Sequence, residues 1–163
     1  INISGKQFNQ SQIIDVIKNC IKETGINPKF IELELTESVI MKDVDRTIDI
    51  FNQFKKMGIS ISIDDFGTGY SSLSYLKEFP IDKLKIDQSF IANITDPDSH
   101  EGDIANLVID LGHKLGLEVI AEGVETEDQI EYLKKYACDQ IQGFILSKPL
   151  KVDKFEELLK ERY

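Results

Sequence analysis

The sequence predicts an α/β fold, an incomplete (β/α) barrel of about six strands around a polar lumen. Three observations support this prediction. Short β-type segments alternate with amphipathic helical segments, the strands carry one apolar and one polar side, and acidic residues recur where successive strands end. Strands separated by helices imply βαβ units and therefore a parallel sheet. The 163 residues are enough for a single domain with a sizeable core.

The predicted strands and helices follow each other along the chain with no linker or low-complexity segment between them. The strands are expected at Ile1–Ser4, Phe30–Leu35, Ile59–Ile63, Lys83–Ile86, Leu117–Ala121 and Gln140–Phe144. Apolar residues at helical spacing predict helices near positions 13–21, 44–54, 72–77, 104–115, 130–136 and 155–159. Gly58 and Gly116 come after two of these helical segments, and a glycine at such a position favours the end of a helix.

The pattern inside the strands distinguishes a barrel from an open doubly wound sheet. Helices cover both faces of a doubly wound sheet, so its central strands should be apolar throughout. Here apolar and polar residues alternate, as Leu33 and Leu35 do with Glu32 and Glu34, and a mild departure occurs at Ile120. Because burying so many polar strand faces under helices would cost much desolvation energy, these faces are expected to share one lumen.

The chain is short for a complete barrel of this kind. Eightfold (β/α) barrels take ~250 residues in typical cases and about 200 at least. We therefore expect a barrel that lacks its first strands and leaves an open sheet edge. A partner, a second copy or further sequence would have to cover that edge.

The charge balance narrows the classes of ligand. Nineteen basic residues against 29 acidic ones give a net charge of −10, which disfavours binding to nucleic-acid polymers or anionic lipid. An anionic substrate would need a cation, most simply a divalent metal, between it and the protein. The sequence contains no apolar run of the ~20 residues that span a bilayer. Its two cysteines form no metal or disulfide pattern, which suits a cytoplasmic protein with reduced thiols.

Acidic residues cluster where the predicted strands end. In parallel barrels the chemistry lies at this carboxyl-terminal mouth, so these side chains should converge there. The acids are Glu34, Glu37, Asp64, Asp65, Asp87, Glu122 and Glu125, and Asn2 and Gln142 come from two further strands. Converging carboxylates repel one another unless they are neutralised, and oxygen ligands favour Mg²⁺, Mn²⁺ or Ca²⁺ over zinc. Lys85 could orient a water molecule or stabilise developing phosphoryl charge.

Each of these residues also has a simpler interpretation. A single acid at a strand end is more often solvated surface than ligand. Glu32 and Glu118 lie deeper in their strands and better fit salt bridges with Lys83. The stretch Asp64–Ser72 is either a metal-and-phosphate loop or an ordinary turn in which Ser71 or Ser72 caps the next helix.

Several motifs, in order along the chain, resemble those of the EAL-domain family. They are Glu34–Ser38, Asp64–Ser72, Lys85–Phe90, Ala121–Thr126 and Gln142–Phe144, and the opening Ile1–Ser4 is similar to the family's V-N-x-S strand. Members of this family are bacterial cyclic-di-GMP phosphodiesterases built on a TIM-like barrel. The resemblance implies that fold and a site that hydrolyses one phosphodiester of cyclic-di-GMP to give linear pGpG.

The resemblance also implies metal ligands. Asn2, Glu34 and Asp64 match ligands of a first ion, and Asp65 matches a ligand of a second ion. Asp64 would bridge the two ions. Glu122 matches a further member of this cluster. A two-metal site of Mg²⁺ or Mn²⁺ is therefore implied.

Further roles follow from the same resemblance. Lys85 matches the lysine that holds the attacking water, and Asp87 and Glu122 match members of the metal–water cluster. Glu122 also matches a residue assigned as general base. Glu37 matches the glutamate that anchors the Asp64–Ser72 loop. Supporting roles fall to Glu125 and Gln142, and no residue is assigned to contact the substrate.

One family feature has no counterpart in the sequence. The Glu-Ala-Leu strand, which contributes a metal ligand and a nearby phosphate-binding arginine, would lie before Ile1. Residues 1–163 are therefore expected to be one N-terminally truncated EAL domain with little or no activity of its own. The resemblance also suggests a homodimer, a cytoplasmic location, and an upstream sensory or diguanylate-cyclase-like domain, which could attach the protein to a membrane.

The sequence is also compatible with two other functions. The chain could come from a degenerate module that binds cyclic-di-GMP without cleaving it, although every remaining motif acid is present. It could also be a metal-dependent barrel that performs enolate chemistry on a small carboxylate or sugar, which the polar lumen alone would permit.

Overall fold

A computed structural model describes residues 1–69 and 73–162 of the chain. Its centre is a parallel sheet in the order β1-β2-β3-β4-β5, which stays open within the described residues. The strands are Glu32–Thr36 (β1), Ser60–Phe66 (β2), Lys83–Ile86 (β3), Glu118–Glu122 (β4) and Gln140–Gln142 (β5). The described helices are Gly5–Phe8 (α1), Ile13–Thr24 (α2), Glu37–Ile40 (α3), Val44–Lys56 (α4), Leu73–Leu76 (α5), Gln88–Ala92 (α6), Glu101–Leu115 (α7), Glu127–Lys135 (α8) and Val152–Arg162 (α9). Among them, none is long and apolar enough to cross a membrane.

Five of the six predicted strands are present, and the prediction of a strand at Ile1–Ser4 was wrong. These residues form a single parallel bridge, between Asn2 and Glu34 at the outer edge of β1. The Ile3 amide donates to the Glu34 carbonyl at 2.9 Å, and the Glu34 amide donates to the Ile1 carbonyl at 2.9 Å. The pairing stops there because the Ser4 side chain accepts from the Gln7 amide and begins α1.

The start of β1 also differs from the prediction. Phe30 belongs to a 3₁₀ turn, Pro28–Phe30, which begins where the Asn27 side chain accepts a hydrogen bond from the Lys29 amide. Proline has a fixed φ that suits the first turn of a helix. The strand therefore begins at Glu32 and extends to Thr36.

The apolar faces of the strands form the core, as the alternation predicts. The register aligns Leu35 with Ile63, and Ile63 with Leu84 in the next strand. All three side chains are at most 1% exposed. Full burial of such a side chain contributes about 1.5–3 kcal/mol. Helices α4 and α7 pack on this side of the sheet and add Phe51 and Ile109, both completely buried.

On the polar side of the sheet, side chains near the amino-terminal ends of the strands form a network of salt bridges and hydrogen bonds. The Lys83 Nζ lies 2.9 Å from Glu32 Oε2 and 3.6 Å from Glu118 Oε2. Gln140 Nε2 donates to Glu118 Oε2 at 3.0 Å. The predicted pairing of Glu32 and Glu118 with Lys83 is confirmed. Ile120, the predicted exception to the polar pattern, is buried between Glu118 and Glu122 along β4.

Gly143 permits close approach between the loops that follow β4 and β5. A Cβ atom at this position would lie 2.0 Å from the Val124 carbonyl oxygen and 2.4 Å from the Val124 nitrogen. Both atoms are fixed, because the Val124 amide donates to Gln142 and its carbonyl accepts from Ile145. The β4 loop carries acidic residues of the mouth, so this contact bears directly on the site.

Replacing Gly143 by alanine should lower the free energy of unfolding by about 3 kcal/mol, because backbone must move to admit the methyl group. Urea denaturation measures this loss. Gly25→Ala is the control: Gly25 has a φ of 67° but nothing within 4 Å of the added atom. It should cost only about 1 kcal/mol. Equal losses in the two variants would contradict the proposed close packing.

Candidate functional site

A buried lysine lies at the centre of the carboxyl-terminal mouth of the sheet. Lys85, on β3, has a side chain that is 3% exposed. Its Nζ lies 2.6 Å from Glu122 Oε1, 2.7 Å from Glu34 Oε2 and 3.3 Å from Asp64 Oδ1. One ammonium group therefore joins carboxylates from β1, β2 and β4.

The environment holds Lys85 in its protonated form. Burial alone would lower the pKa of Lys85, but hydrogen bonds to Glu122 and Glu34 and nearby negative charge raise it above the ordinary value of a lysine. The pKa of Glu122 is also raised, chiefly by burial, and the charges of Asp64 and Glu34 add to the increase against the opposing effect of Lys85. Lys85 thus stays protonated and acts as a hydrogen-bond donor, and Glu122 takes up a proton more readily than an ordinary glutamate does.

A β-bulge brings two adjacent aspartates to the same site. Neighbouring residues of a regular strand point to opposite faces, but the β2–β3 register shifts between Ile63 and Phe66. Asp65 has a φ of 54°, and its amide contacts Asp64 Oδ1 at 3.2 Å. Such left-handed backbone costs of order 1–3 kcal/mol. Carboxylate oxygens of Asp64, Asp65 and Glu122 consequently lie within 4.8 Å of one another.

Asp87 completes the acidic side of the mouth. Its Oδ1 accepts from the Ser89 amide at 2.9 Å, so Asp87 caps α6. Burial opposes ionisation of Asp87, yet hydrogen bonds from Ser89 and Asp65 hold its pKa below the ordinary value. Burial raises the pKa of Asp65, and the charges of Asp64 and Asp87 raise it further. A proton or a divalent cation would relieve this repulsion, and these all-oxygen donors suit Mg²⁺ or Mn²⁺.

Glu37 holds the glycine-containing loop that follows β2. It is 3% exposed at the start of α3, and its Oε2 accepts from the Gly67 amide at 3.3 Å. A Cβ atom at Gly69 would lie 2.6 Å from Glu37 Oε1, so the loop runs directly against this carboxylate. The hypothesis that Ser71 or Ser72 caps the next helix lies outside the described residues.

Replacing Glu37 by alanine should release this loop. The Gly67 amide loses its acceptor, so its hydrogen exchange should accelerate by about tenfold, equivalent to about 1.4 kcal/mol of local stabilisation. Exchange measured by NMR on the metal-free chain tests this. Ser38→Ala, on the next residue, should leave the exchange of Gly67 unchanged. An unchanged rate in Glu37→Ala would show that the loop is held by other contacts.

The remaining predicted residues lie around this cluster at different distances. Asn2 is next to Glu34 through the backbone bridge, with an exposed side chain. Glu34 contacts Lys85, and it does not belong to the close carboxylate group found among the described residues. Glu125 and Gln142 lie further along the rim and line a neighbouring cleft.

That cleft, of about 550 Å³, begins at Glu122 and extends to α9. Its lining residues are Gln88, Glu122, Gly123, Glu125, Gln142, Gly143, Phe144, Ser147, Lys148, Pro149, Leu150, Phe155 and Leu158. Phe144 is 56% exposed, and the Lys148 Nζ lies 5.6 Å from the centre of its ring. The sequence interpretation included Phe144 in a motif without assigning it a role, and it did not single out Lys148. An aromatic residue just past a strand end with a lysine in the next turn was the signal available.

Comparison with known proteins agrees with this geometry. The sequence model described as the EAL domain matches residues 1–149. Signaling protein YkoW of Bacillus subtilis is 45% identical over 163 residues, and the match covers 99% of the chain and 20% of YkoW. The chain thus spans about a fifth of this curated relative.

Two solved structures are similar in fold as well as in sequence. The PaMucR phosphodiesterase in complex with c-di-GMP, from Pseudomonas aeruginosa, superposes with a TM-score of 0.91 at 42% identity, over 94% of this chain and 62% of that one. The manganese and cyclic-di-GMP complex of Klebsiella pneumoniae BlrP1 has a TM-score of 0.81 at 29% identity, over 91% of this chain and 38% of that one. Both therefore share the fold of this chain over the matched residues.

Proposed function

Because the chain belongs to the EAL domain family, we propose that it forms the catalytic mouth of a metal-dependent phosphodiesterase that hydrolyses cyclic-di-GMP to linear pGpG. The observation that carries the proposal is the buried Lys85, which contacts carboxylates from three strands beside the close group Asp64, Asp65 and Glu122. The c-di-GMP complex of the PaMucR phosphodiesterase supports this substrate class.

The acids of the mouth are the proposed ligands of Mg²⁺ or Mn²⁺. Asp64, Asp65 and Glu122 have the shortest mutual distances, and Asn2 and Glu34 lie at the adjoining edge of β1. Divalent ions bound there would activate water and stabilise charge on the phosphoryl oxygens. The manganese complex of BlrP1 supports Mn²⁺ as one such ion.

Lys85 and Glu122 have different roles in the proposed reaction. Lys85 is held protonated, so it can donate a hydrogen bond to the attacking water or to a phosphoryl oxygen but cannot remove a proton. Glu122 is suited to accept the proton of that water, because its raised pKa lies closer to neutrality. The Ser89 amide fixes the carboxylate of Asp87, and Asp87 in turn orients the Asp65 side chain that it contacts.

The cleft beside Glu122 is the proposed place for the rest of the dinucleotide. Phe144 presents an exposed ring on which a guanine base can stack, a contact worth about 1–3 kcal/mol. Lys148 adds positive charge for a phosphate at the rim. The side chains of Glu125 and Gln142, which also line the cleft, supply hydrogen-bonding groups.

Several wider features remain part of the proposal. The relative MucR is named a bifunctional diguanylate cyclase/cyclic di-GMP phosphodiesterase, which supports an upstream diguanylate-cyclase-like domain. A homodimer, a cytoplasmic location and little or no hydrolysis by the 163-residue chain alone stay predictions. Size-exclusion chromatography with light scattering tests the first of these.

The decisive experiment is hydrolysis of cyclic-di-GMP with Mg²⁺ or Mn²⁺, measured by chromatographic detection of pGpG. The complete product of the gene should form pGpG, and the 163-residue chain is assayed beside it. Phe144→Ala should raise KM more than it lowers kcat. Tight binding of cyclic-di-GMP without turnover by the complete protein would favour a binding module instead. Turnover of small carboxylates or sugars alone would favour the enolate alternative.

A further inference from the structure

Gln129 is a buried amide that joins two parts of the structure. It lies in the first turn of α8 and is 6% exposed. Its Oε1 accepts from the Glu125 amide at 2.7 Å and from the Thr126 amide at 3.0 Å. Its Nε2 donates to the Ile91 carbonyl at 3.0 Å, and Ile91 lies 38 residues earlier in the sequence. Both ends of the side chain are therefore used.

These bonds tie the loop after β4 to the helix after β3. The loop, residues 123–126, is held at its far end through Gln129 to the last turn of α6. At its near end Gly123 adopts a φ of +70°, and a Cβ there would lie 2.6 Å from the Gln88 Cβ. Gln88 is the first residue of α6. The loop thus lies against α6 near both ends of this short helix.

The two joined parts carry different acidic residues of the mouth. Helix α6 is capped by Asp87, which contacts Asp65, whereas the loop follows Glu122 directly and contains Glu125. At the start of α8, the Thr126 side chain accepts from the Gln129 amide, and Gln129 Oε1 accepts from the Thr126 amide. The Gln129 Nε2 takes no part in this cap. The contact with Ile91 serves a different element.

We propose that Gln129 is a positioning residue that sets the separation between the Glu122–Glu125 side of the mouth and the Asp65–Asp87 side. The inference rests on the proposed metal-dependent function. Groups that hydrogen-bond directly to metal ligands typically change metal affinity by 10–100-fold when they are removed, and we expect the lower figure for Gln129, which acts through backbone groups.

Three variants separate positioning from simple support of α8. Gln129→Met removes both sets of hydrogen bonds. Gln129→Glu keeps an acceptor for the Glu125 and Thr126 amides but removes the donor to Ile91. Thr126→Ala removes the cap of α8 and leaves the contact with Ile91 in place, so it is the matched control.

The first readout is Mn²⁺ affinity, measured from the electron paramagnetic resonance signal of free Mn²⁺ at temperatures where each variant is folded. Gln129→Met and Gln129→Glu should bind Mn²⁺ about tenfold more weakly. Thr126→Ala should stay within about twofold of the unmodified chain although it melts at a lower temperature. Unchanged affinity in both Gln129 variants, or an equal loss in Thr126→Ala, would overturn the inference.

The second readout needs no metal and separates this inference from the proposed function. In Gln129→Met, amide exchange should accelerate both at 88–92 and at 123–126, whereas Thr126→Ala should affect the start of α8. If the unmodified chain binds no Mn²⁺, residues 1–163 do not form the proposed metal site by themselves, and the exchange data alone then test the connection through Gln129. Acceleration confined to α8 in Gln129→Met would then refute it.

Discussion

Replacing Lys85 by methionine should lower the free energy of unfolding by about 3–5 kcal/mol at neutral pH, because the substitution leaves partly buried carboxylates without their cation. Glu34, Asp64 and Glu122 all lie within 3.3 Å of Lys85 Nζ. Urea denaturation measures the loss. Lys55→Met is the matched control, since the Lys55–Asp82 pair is about one-third exposed on both sides and should contribute no more than about 1 kcal/mol.

The loss in Lys85→Met should also depend on pH. The pKa of Glu122 is already raised in the folded protein by burial and by neighbouring negative charge, and Lys85 opposes that increase. Without Lys85 the folded pKa should rise further above its unfolded value. A carboxyl group of this kind stabilises the fold as pH falls through the folded pKa, so the variant should regain stability as the solution is acidified from neutrality. A small, pH-independent loss would contradict the central role of Lys85.

Replacing Asp65 by asparagine should abolish hydrolysis while making the metal-free protein more stable. Asparagine keeps the shape of aspartate and tolerates the φ of 54° at this position. It removes a metal-ligand charge, and we expect hydrolysis by the complete protein to fall by about 1,000-fold, or about 4 kcal/mol of transition-state stabilisation. Chromatographic pGpG formation and Mn²⁺ binding both measure this change.

The gain in stability has a defined pH dependence. The pKa of Asp65 is raised by burial and then by the charges of Asp64 and Asp87, so its ionisation opposes folding. Asp65→Asn should therefore be more stable than the unmodified chain at neutral pH, by about 1 kcal/mol, and the difference should vanish below the unfolded pKa of an aspartate. Asp110→Asn, at an exposed position of α7, should show neither effect. Lower stability of Asp65→Asn at neutral pH would contradict the proposed repulsion.

The sequence predicted the architecture because its alternation is regular. Leu33 and Leu35 against Glu32 and Glu34 identified the two faces of β1, and the same pattern placed Lys83 beside its acidic partners. The strand predicted at the amino terminus failed for a local reason. Ser4 begins a helix so early that only the Asn2–Glu34 pair can form.

The geometry of the site depends on features that alternation cannot predict. Asp64 and Asp65 are adjacent, and a regular strand would separate them across the sheet. The bulge and the left-handed backbone of Asp65 bring both to one side. The partners of Gln129 are equally hidden, because Ile91 is 38 residues away in sequence. Such contacts follow from the packing of α6 against the loop after β4.

The most direct test of the shared acidic mouth is paramagnetic broadening by Mn²⁺ in the ¹⁵N-labelled chain. Substoichiometric Mn²⁺ should first broaden amide signals around Asp64, Asp87 and Glu122, which belong to three different strand ends. A chain with a net charge of −10 has many exposed acids that bind Mn²⁺ weakly. The order in which the amide signals broaden therefore identifies the strongest site. If the exposed acids at 96–103 or 127–128 broaden first while the three strand ends stay sharp, these side chains do not form a common metal site.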